Sequence, residues 1–370
     1  MSADPRRAEI DRRVLKWMRE SRWSYSEKRF EELALELFAF QFEHCEIYRR
    51  FCEGRSQTPG NVKTWRQIPA VPTSAFKEAE LRCFPAEYTE HCFRTSGTST
   101  DVRGTLYLDT LELYEASLLP TFCHFMLPEL LLPDNRVAMR VFAPSQNEQP
   151  DSSLSHMFGV VLDALGEPGS DFDVENGKLL FDRVLTLLVE SAASEVPLTL
   201  CGTAFAFVHL IDRMNERGVL IGMPSASRIM ETGGFKGRSR EIPRMELYAE
   251  LKRVLGIPAE RIVNQYGMTE LGSQFYDSVI HAPSEPRRKM GPPWARVVIV
   301  DPETGHEAAT GQVGSIVVVD LANTGSVLAL RTGDLGRAIL DGFEVIGREP
   351  GADARGCSIG ADEILDRSSP

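Results

Sequence analysis

Ile262-Val-Asn-Gln-Tyr-Gly-Met-Thr-Glu270 passes from a short apolar run into a loop that sets an aromatic, a glycine, a hydroxyl and a carboxylate within five residues. It reads as a strand feeding a polar loop. The same pattern stands upstream at Arg136–Ala143, Pro197–Cys201 and Ser227–Met230, and several of these loops run on into helical periodicity. Ala204–Arg217 is one such helix, stopped by Gly218. After Pro293 the spacing tightens into closely set strands, Ala-Arg-Val-Val-Ile-Val-Asp, Gly-Ser-Ile-Val-Val-Val-Asp, Ser-Val-Leu-Ala-Leu, Gly-Arg-Ala-Ile-Leu and Phe-Glu-Val-Ile-Gly, separated by turn residues. The expectation is an α/β body followed by a small β-rich lobe.

Before this body, Phe30, Leu33, Leu37 and Phe38 recur at helical spacing between Ser24 and Phe51, which predicts one amphipathic helix ending near Gly54. Thr58–Phe76 carries several prolines and little periodicity, and reads as a crossing loop with short turns. The chain has 370 residues, 41 Lys+Arg against 53 Asp+Glu, a formal charge of −12, and a hydrophobic share of 42%. That is globular composition, long enough for two domains and a sizeable core. The acidic balance and the absence of a basic stripe exclude a nucleic-acid binder held by counterion release. Seven cysteines without a Cys-x-x-Cys pair read as free thiols in a reducing compartment. No apolar segment is long enough for a membrane span, and the charged start does not read as a signal peptide, so a cytoplasmic protein is expected.

Three segments carry chemistry. In Phe93-Arg-Thr-Ser-Gly-Thr-Ser-Thr-Asp-Val-Arg103, hydroxyls crowd around one glycine between arginines. Such a loop wraps phosphates, because Gly97 admits close backbone approach and successive N–H groups form an anion nest. The plainer alternative is a capped surface turn. In the loop after Ile262-Val263, Tyr266 is suited to stack on a base, Thr269 to bond a phosphate oxygen, and Glu270 to hold Mg²⁺. Its alternative is a strand-to-helix loop with Glu270 as a first-turn carboxylate. In Leu330-Arg-Thr-Gly-Asp-Leu-Gly-Arg337, the two oxygens of Asp334 can accept from adjacent sugar hydroxyls, the alternative being a hairpin turn. His156 and the stripe Phe205, Phe207 and His209 read more simply as core than as pocket.

Taken in order, Thr-Ser-Gly-Thr, Tyr-Gly-Met-Thr-Glu, Arg-Thr-Gly-Asp and Gly347-Arg348 resemble the core motifs of acyl-adenylate-forming enzymes. The final segment Gly347-Arg-Glu-Pro-Gly-Ala-Asp-Ala-Arg-Gly-Cys-Ser358 resembles the LuxE-type acyl-protein synthetases, the ATP-dependent components of bacterial fatty-acid reductase complexes. The resemblance implies an adenylate-forming-enzyme-like α/β domain at residues 1–293 with parallel or mixed sheets flanked by helices. A β-rich lobe at 294–346 and a short terminal segment at 347–370 would follow. By the same resemblance Thr95, Ser96, Gly97, Thr98 and Ser99 would hold the β- and γ-phosphates of ATP, with Gly233 and Gly234 bordering adenine and the acyl end. Tyr266 would stack on adenine, Thr269 contact the α-phosphate, Glu270 coordinate Mg²⁺, and Asp334 bind the ribose with Arg348 assisting. Cys357 would be the acyl acceptor, and an acyl-reductase or carrier protein the partner. A homo-oligomer is compatible with all of this.

The sequence departs from the wider superfamily in two places. The phosphate loop usually runs on through a glycine to Pro-Lys, where this chain has Thr100, Val102 and Arg103. The C-terminal domain whose lysine assists adenylation has no counterpart here, leaving Arg103, Arg337 or Arg355 as substitutes. The local physics at Cys357 favours a thiolate, with Arg355 nearby and Ser358 able to cap a short helix through Ile364, though a small buried cysteine is the alternative. The expected reaction is ATP-dependent activation of a carboxylic acid, most naturally a fatty acid, followed by thioester formation at Cys357. Two other readings send the acyl group to a carrier-protein or coenzyme A thiol, or make the chain a noncatalytic nucleotide-binding subunit.

Overall fold

The computed structural model describes residues 4–21, 23–95, 103–130, 135–233 and 242–349. They form two compact units. Among the described residues, one gathers 4–121, Gly267–Phe275 and 288–349, and the other Phe122–Tyr266 with Tyr276–Arg287.

The first unit carries an antiparallel meander of Ala295–Val300, Val313–Asp320, Ala329–Ile339 and Gly342–Arg348. Val71–Pro72 adds in parallel beside Leu330–Arg331, and Lys289 pairs with Phe343 at the other side. The two strands expected at Ser-Val-Leu-Ala-Leu and Gly-Arg-Ala-Ile-Leu are one eleven-residue strand, with Arg331–Asp334 inside it and not in a hairpin turn. Neighbours on both sides explain this. Arg331 is in register with Val317, and Asp334 with Arg348, so the polar stretch keeps its ladder bonds while the side chains of Arg331 and Asp334 find ionic partners. A separate two-stranded ribbon pairs His91–Arg94 with Thr105–Leu108.

The single helix read between Ser24 and Phe51 is two, Glu27–His44 and Glu46–Glu53, divided at Cys45 in extended geometry (φ −113°, ψ 99°). The break turns Tyr48 inward, where its hydroxyl donates to Pro69 O at 2.9 Å. Ser26 caps the first of the pair by accepting from Arg29 N.

In the second unit Met139–Phe142, Asp171–Phe172, Thr199–Thr203, Arg228–Thr232 and Ile262–Tyr266 form a parallel sheet whose spatial order in chain numbering is 2-1-3-4-5. The strands Met139–Phe142, Thr199–Thr203 and Arg228–Thr232 are buried along their whole length, which is why their segments read as strands covered on both faces. The helices Ser153–Leu165, Phe181–Ser194, Ala204–Glu216 and Arg244–Leu255 accompany it. Phe205 and Phe207 lie in its main hydrophobic cluster, and His209 meets Phe205 edge-on at 4.4 Å, so this stripe packs as core. Asp173, fully buried, is held by Arg140 with Nε–Oδ2 at 2.7 Å. Arg140→Leu would leave that carboxylate only the more distant Arg183 Nε at 3.4 Å, and an unfolding free energy lower by about 2 kcal/mol is expected in urea titration. Among the described residues no helix is long and apolar enough to cross a membrane.

Candidate active site

Glu270 lies on a turn closed by Leu271 N donating to Met268 O at 3.2 Å. No helix follows it, so it is not the first-turn carboxylate of the alternative reading. Its side chain is 6% exposed, and burial pushes its carboxyl from the ordinary 4.5 up to about 7. The charge of Arg348 pulls the other way, while that of Asp334 adds to the rise. Thr269 beside Glu270 is buried.

Asp334 and Arg348 face each other across the ladder of the meander, with Arg348 Nε to Asp334 Oδ1 at 3.0 Å. The Asp334 N–H also donates to the Thr332 hydroxyl oxygen at 3.1 Å, which fixes the backbone just before the carboxylate. The pair is partly open, with side chains 13% and 25% exposed, so a ligand can reach it. Thus Glu270, Asp334 and Arg348 share one electrostatic neighbourhood in the first unit.

Thr95 closes the ribbon from which the hydroxyl-rich loop departs. Its N–H donates to Gly104 O and its Oγ1 accepts from Gly104 N, both at 2.8 Å. Arg103 Nε donates to Thr95 O at 2.6 Å, tying the guanidinium to the root of the loop while leaving the residue exposed. Ser96, Gly97, Thr98 and Ser99 lie outside the described residues, as do Gly234, Arg355 and Cys357. Arg337 is engaged by Glu344 at 2.7 Å on the exposed side of the meander.

In the second unit Gly233 and Tyr266 follow directly on Thr232 and Gln265, which are in register on adjacent parallel strands. Both therefore stand at strand carboxyl ends, the edge where open parallel sheets bind ligands. The Thr232 hydroxyl donates to Gln265 O at 3.2 Å and locks the two ends together. Gly233 has φ +91°, a backbone state that a side chain would strain.

Sequence reading did not single out Asp320 and Asn323, whose side chains grip the backbone around Glu270. The available signal was an aspartate ending the apolar run Ile316–Val319, with Asn-Thr-Gly after two intervening residues.

Comparison with known proteins supplies four findings. The family model of acyl-protein synthetase, LuxE, matches residues 6–365. The long-chain-fatty-acid–luciferin-component ligase of Aliivibrio fischeri is 24% identical over 318 residues, 85% of this chain and 81% of that protein. Its namesake from Photorhabdus luminescens is 33% identical over 73 residues, 20% of this chain and 62% of that one. Among solved structures, an open conformation of 2-hydroxyisobutyryl-CoA ligase in complex with 2-HIB-AMP and CoA has a TM-score of 0.63 at 13% identity, covering 87% of this chain and 75% of that one. The fold is that of this group of ligases.

Proposed function

The chain belongs to the LuxE acyl-protein synthetase family, and we propose that it activates a fatty acid with ATP and then carries the acyl group on Cys357 as a thioester. The name of the Aliivibrio fischeri relative, a ligase of long-chain fatty acids, supports the substrate class. In the first step a carboxylate oxygen of the acid attacks the α-phosphorus of ATP, the bond to the β-phosphate oxygen breaks, and pyrophosphate leaves. In the second the Cys357 thiolate attacks the acyl carbon and AMP leaves. A reductase or carrier protein would receive the acyl group.

The observation that carries this reading is the buried Glu270 beside the Asp334–Arg348 pair. Two anions must meet in the first step, so donors and positive charge have to offset their repulsion. Thr95 and the loop it begins would bind the β- and γ-phosphates, with Arg103 supplying charge at the loop's root. Thr269 would bond the α-phosphate, Tyr266 would stack on adenine beside Gly233 and Gly234, and Asp334 would accept from the ribose hydroxyls. Mg²⁺ fits the donor chemistry of Glu270, a buried hard-oxygen ligand with a raised affinity for positive charge. When bound, it would supply the charge that stabilises the leaving pyrophosphate.

If Asp334 holds the ribose, Asp334→Ala should raise KM for ATP by about tenfold with a smaller change in kcat, because the lost bonds are present in ground and transition states alike. Steady-state pyrophosphate exchange over a range of ATP concentrations reads this. A fall in kcat at unchanged KM would assign Asp334 another role. Incubating the adenylated protein with carrier-protein thiols or coenzyme A tests the acceptor. Transfer without any acyl-enzyme would replace the Cys357 step with an external one.

A further inference from the structure

The turn bearing Glu270 is gripped by the turn Asp320–Asn323, which leaves the end of the strand Val313–Asp320, and Ser117 Oγ meets Ser273 Oγ at 3.0 Å. Asn323 Nδ2 donates to Glu270 O at 2.8 Å. Asp320 Oδ2 accepts from Ser273 N at 2.8 Å and Oδ1 from the Ser273 hydroxyl at 2.7 Å, while the N–H groups of Gly272 and Ala322 also point at this carboxylate. The two turns come close at Gly272, where an added Cβ would lie 2.7 Å from Ala322 Cβ.

The gripping turn is itself fixed at several points. Gln41 Nε2 donates to Asn323 O at 2.8 Å, and Gln41 Oε1 accepts from Leu328 N at 2.9 Å. Arg7 Nε donates to Thr324 Oγ1 at 3.3 Å, and Cys83 N to Gly325 O at 2.8 Å. Gln41, Asp320 and Thr324 are fully buried and Asn323 is 5% exposed. Polar groups at such depth cost stability unless every bond is made, and an apolar turn would fill the same space more cheaply. What this network gains is a fixed backbone at residues 270 to 273.

We propose that Asn323 and Asp320 are positioning residues that set the Glu270 carboxylate for the nucleotide. The proposal rests on the reading of Glu270 as part of the ATP site. Neither residue has to touch substrate; both act through the backbone on which Glu270 is carried.

A double-mutant cycle on the full chain tests it, with ATP affinity in MgCl2 measured by calorimetry and pyrophosphate exchange measured in parallel. Asn323→Ala alone should weaken ATP binding by about tenfold. In a Glu270→Gln background the same change should alter ATP affinity less than about twofold, because the group being positioned is gone. Equal losses in both backgrounds would overturn the proposal, since a residue acting through general stability lowers both alike. If Asn323→Ala does not fold, Asp320→Asn runs the same cycle with a smaller, severalfold single effect. A Glu270→Gln protein with unchanged ATP affinity and exchange would instead overturn the reading of the site itself.

Discussion

Glu270→Gln should abolish acid-dependent ATP–pyrophosphate exchange, by at least about 100-fold, and at the same time stabilise the metal-free protein above pH 7. The loss of activity follows from removing a buried carboxyl oxygen that shares an electrostatic neighbourhood with the Asp334–Arg348 pair. The gain in stability follows from proton linkage. The native carboxyl keeps its proton up to about pH 7, whereas the unfolded one releases it near 4.5. The native state therefore binds more protons in between, so wild-type stability falls as pH rises from about 4.5 to about 7 and stays lowered above that. Gln has no such penalty. With a shift of that size the difference at pH 8 is bounded at about 3 kcal/mol and vanishes below pH 4.5. Urea unfolding at pH 5 and pH 8 in chelator checks both ends. A Gln variant less stable than wild type at pH 8 would show that the ionised carboxylate is paired and not stranded.

Cys357→Ser should retain full pyrophosphate exchange while acyl labelling that neutral hydroxylamine removes falls to background. Thioesters are cleaved by hydroxylamine under conditions that spare oxygen esters, so the assay separates the two half-reactions. Among the described cysteines the rivals are weak nucleophiles for one of two reasons. Burial raises the thiols of Cys83 and Cys201 and pushes Cys52 up to about 12 and Cys123 to about 11, and Cys92 is raised for the same reason. Cys45 is lowered to about 7, chiefly by its hydrogen bond with Cys83, yet it is only 2% exposed. Cys45→Ser is therefore the informative control. If the label survives in Cys357→Ser and vanishes in Cys45→Ser, the acceptor has been misassigned.

The parts of the molecule that sequence reading reached are those written in local pattern. The strands at Met139, Thr199, Arg228 and Ile262 are apolar runs because both faces are covered, and the helix Ala204–Glu216 announces itself by its periodicity and by Gly218. The loops that follow the strands, with Gly233, Tyr266, Thr269 and Glu270, were legible as breaks in those runs. Three features escaped for a shared reason. Arg331–Asp334 looks like a turn because it is polar and holds a glycine, and only the neighbours Val313–Asp320 and Gly342–Arg348 make it a strand. The break at Cys45 depends on where Tyr48 must reach. The grip on Glu270 joins residues far apart in the chain, with Gln41 meeting Asn323 and Arg7 meeting Thr324, and no local periodicity records such pairs.

Acid-dependent ATP–pyrophosphate exchange across a panel running from acetate through long-chain fatty acids to aryl acids tests the adenylation step most directly. Exchange with the long-chain acids, absent without acid and lost in Glu270→Gln, is the predicted result. Tight ATP binding with no exchange for any acid in the panel would contradict it and make the protein a nucleotide-binding subunit that does not form an acyl-adenylate.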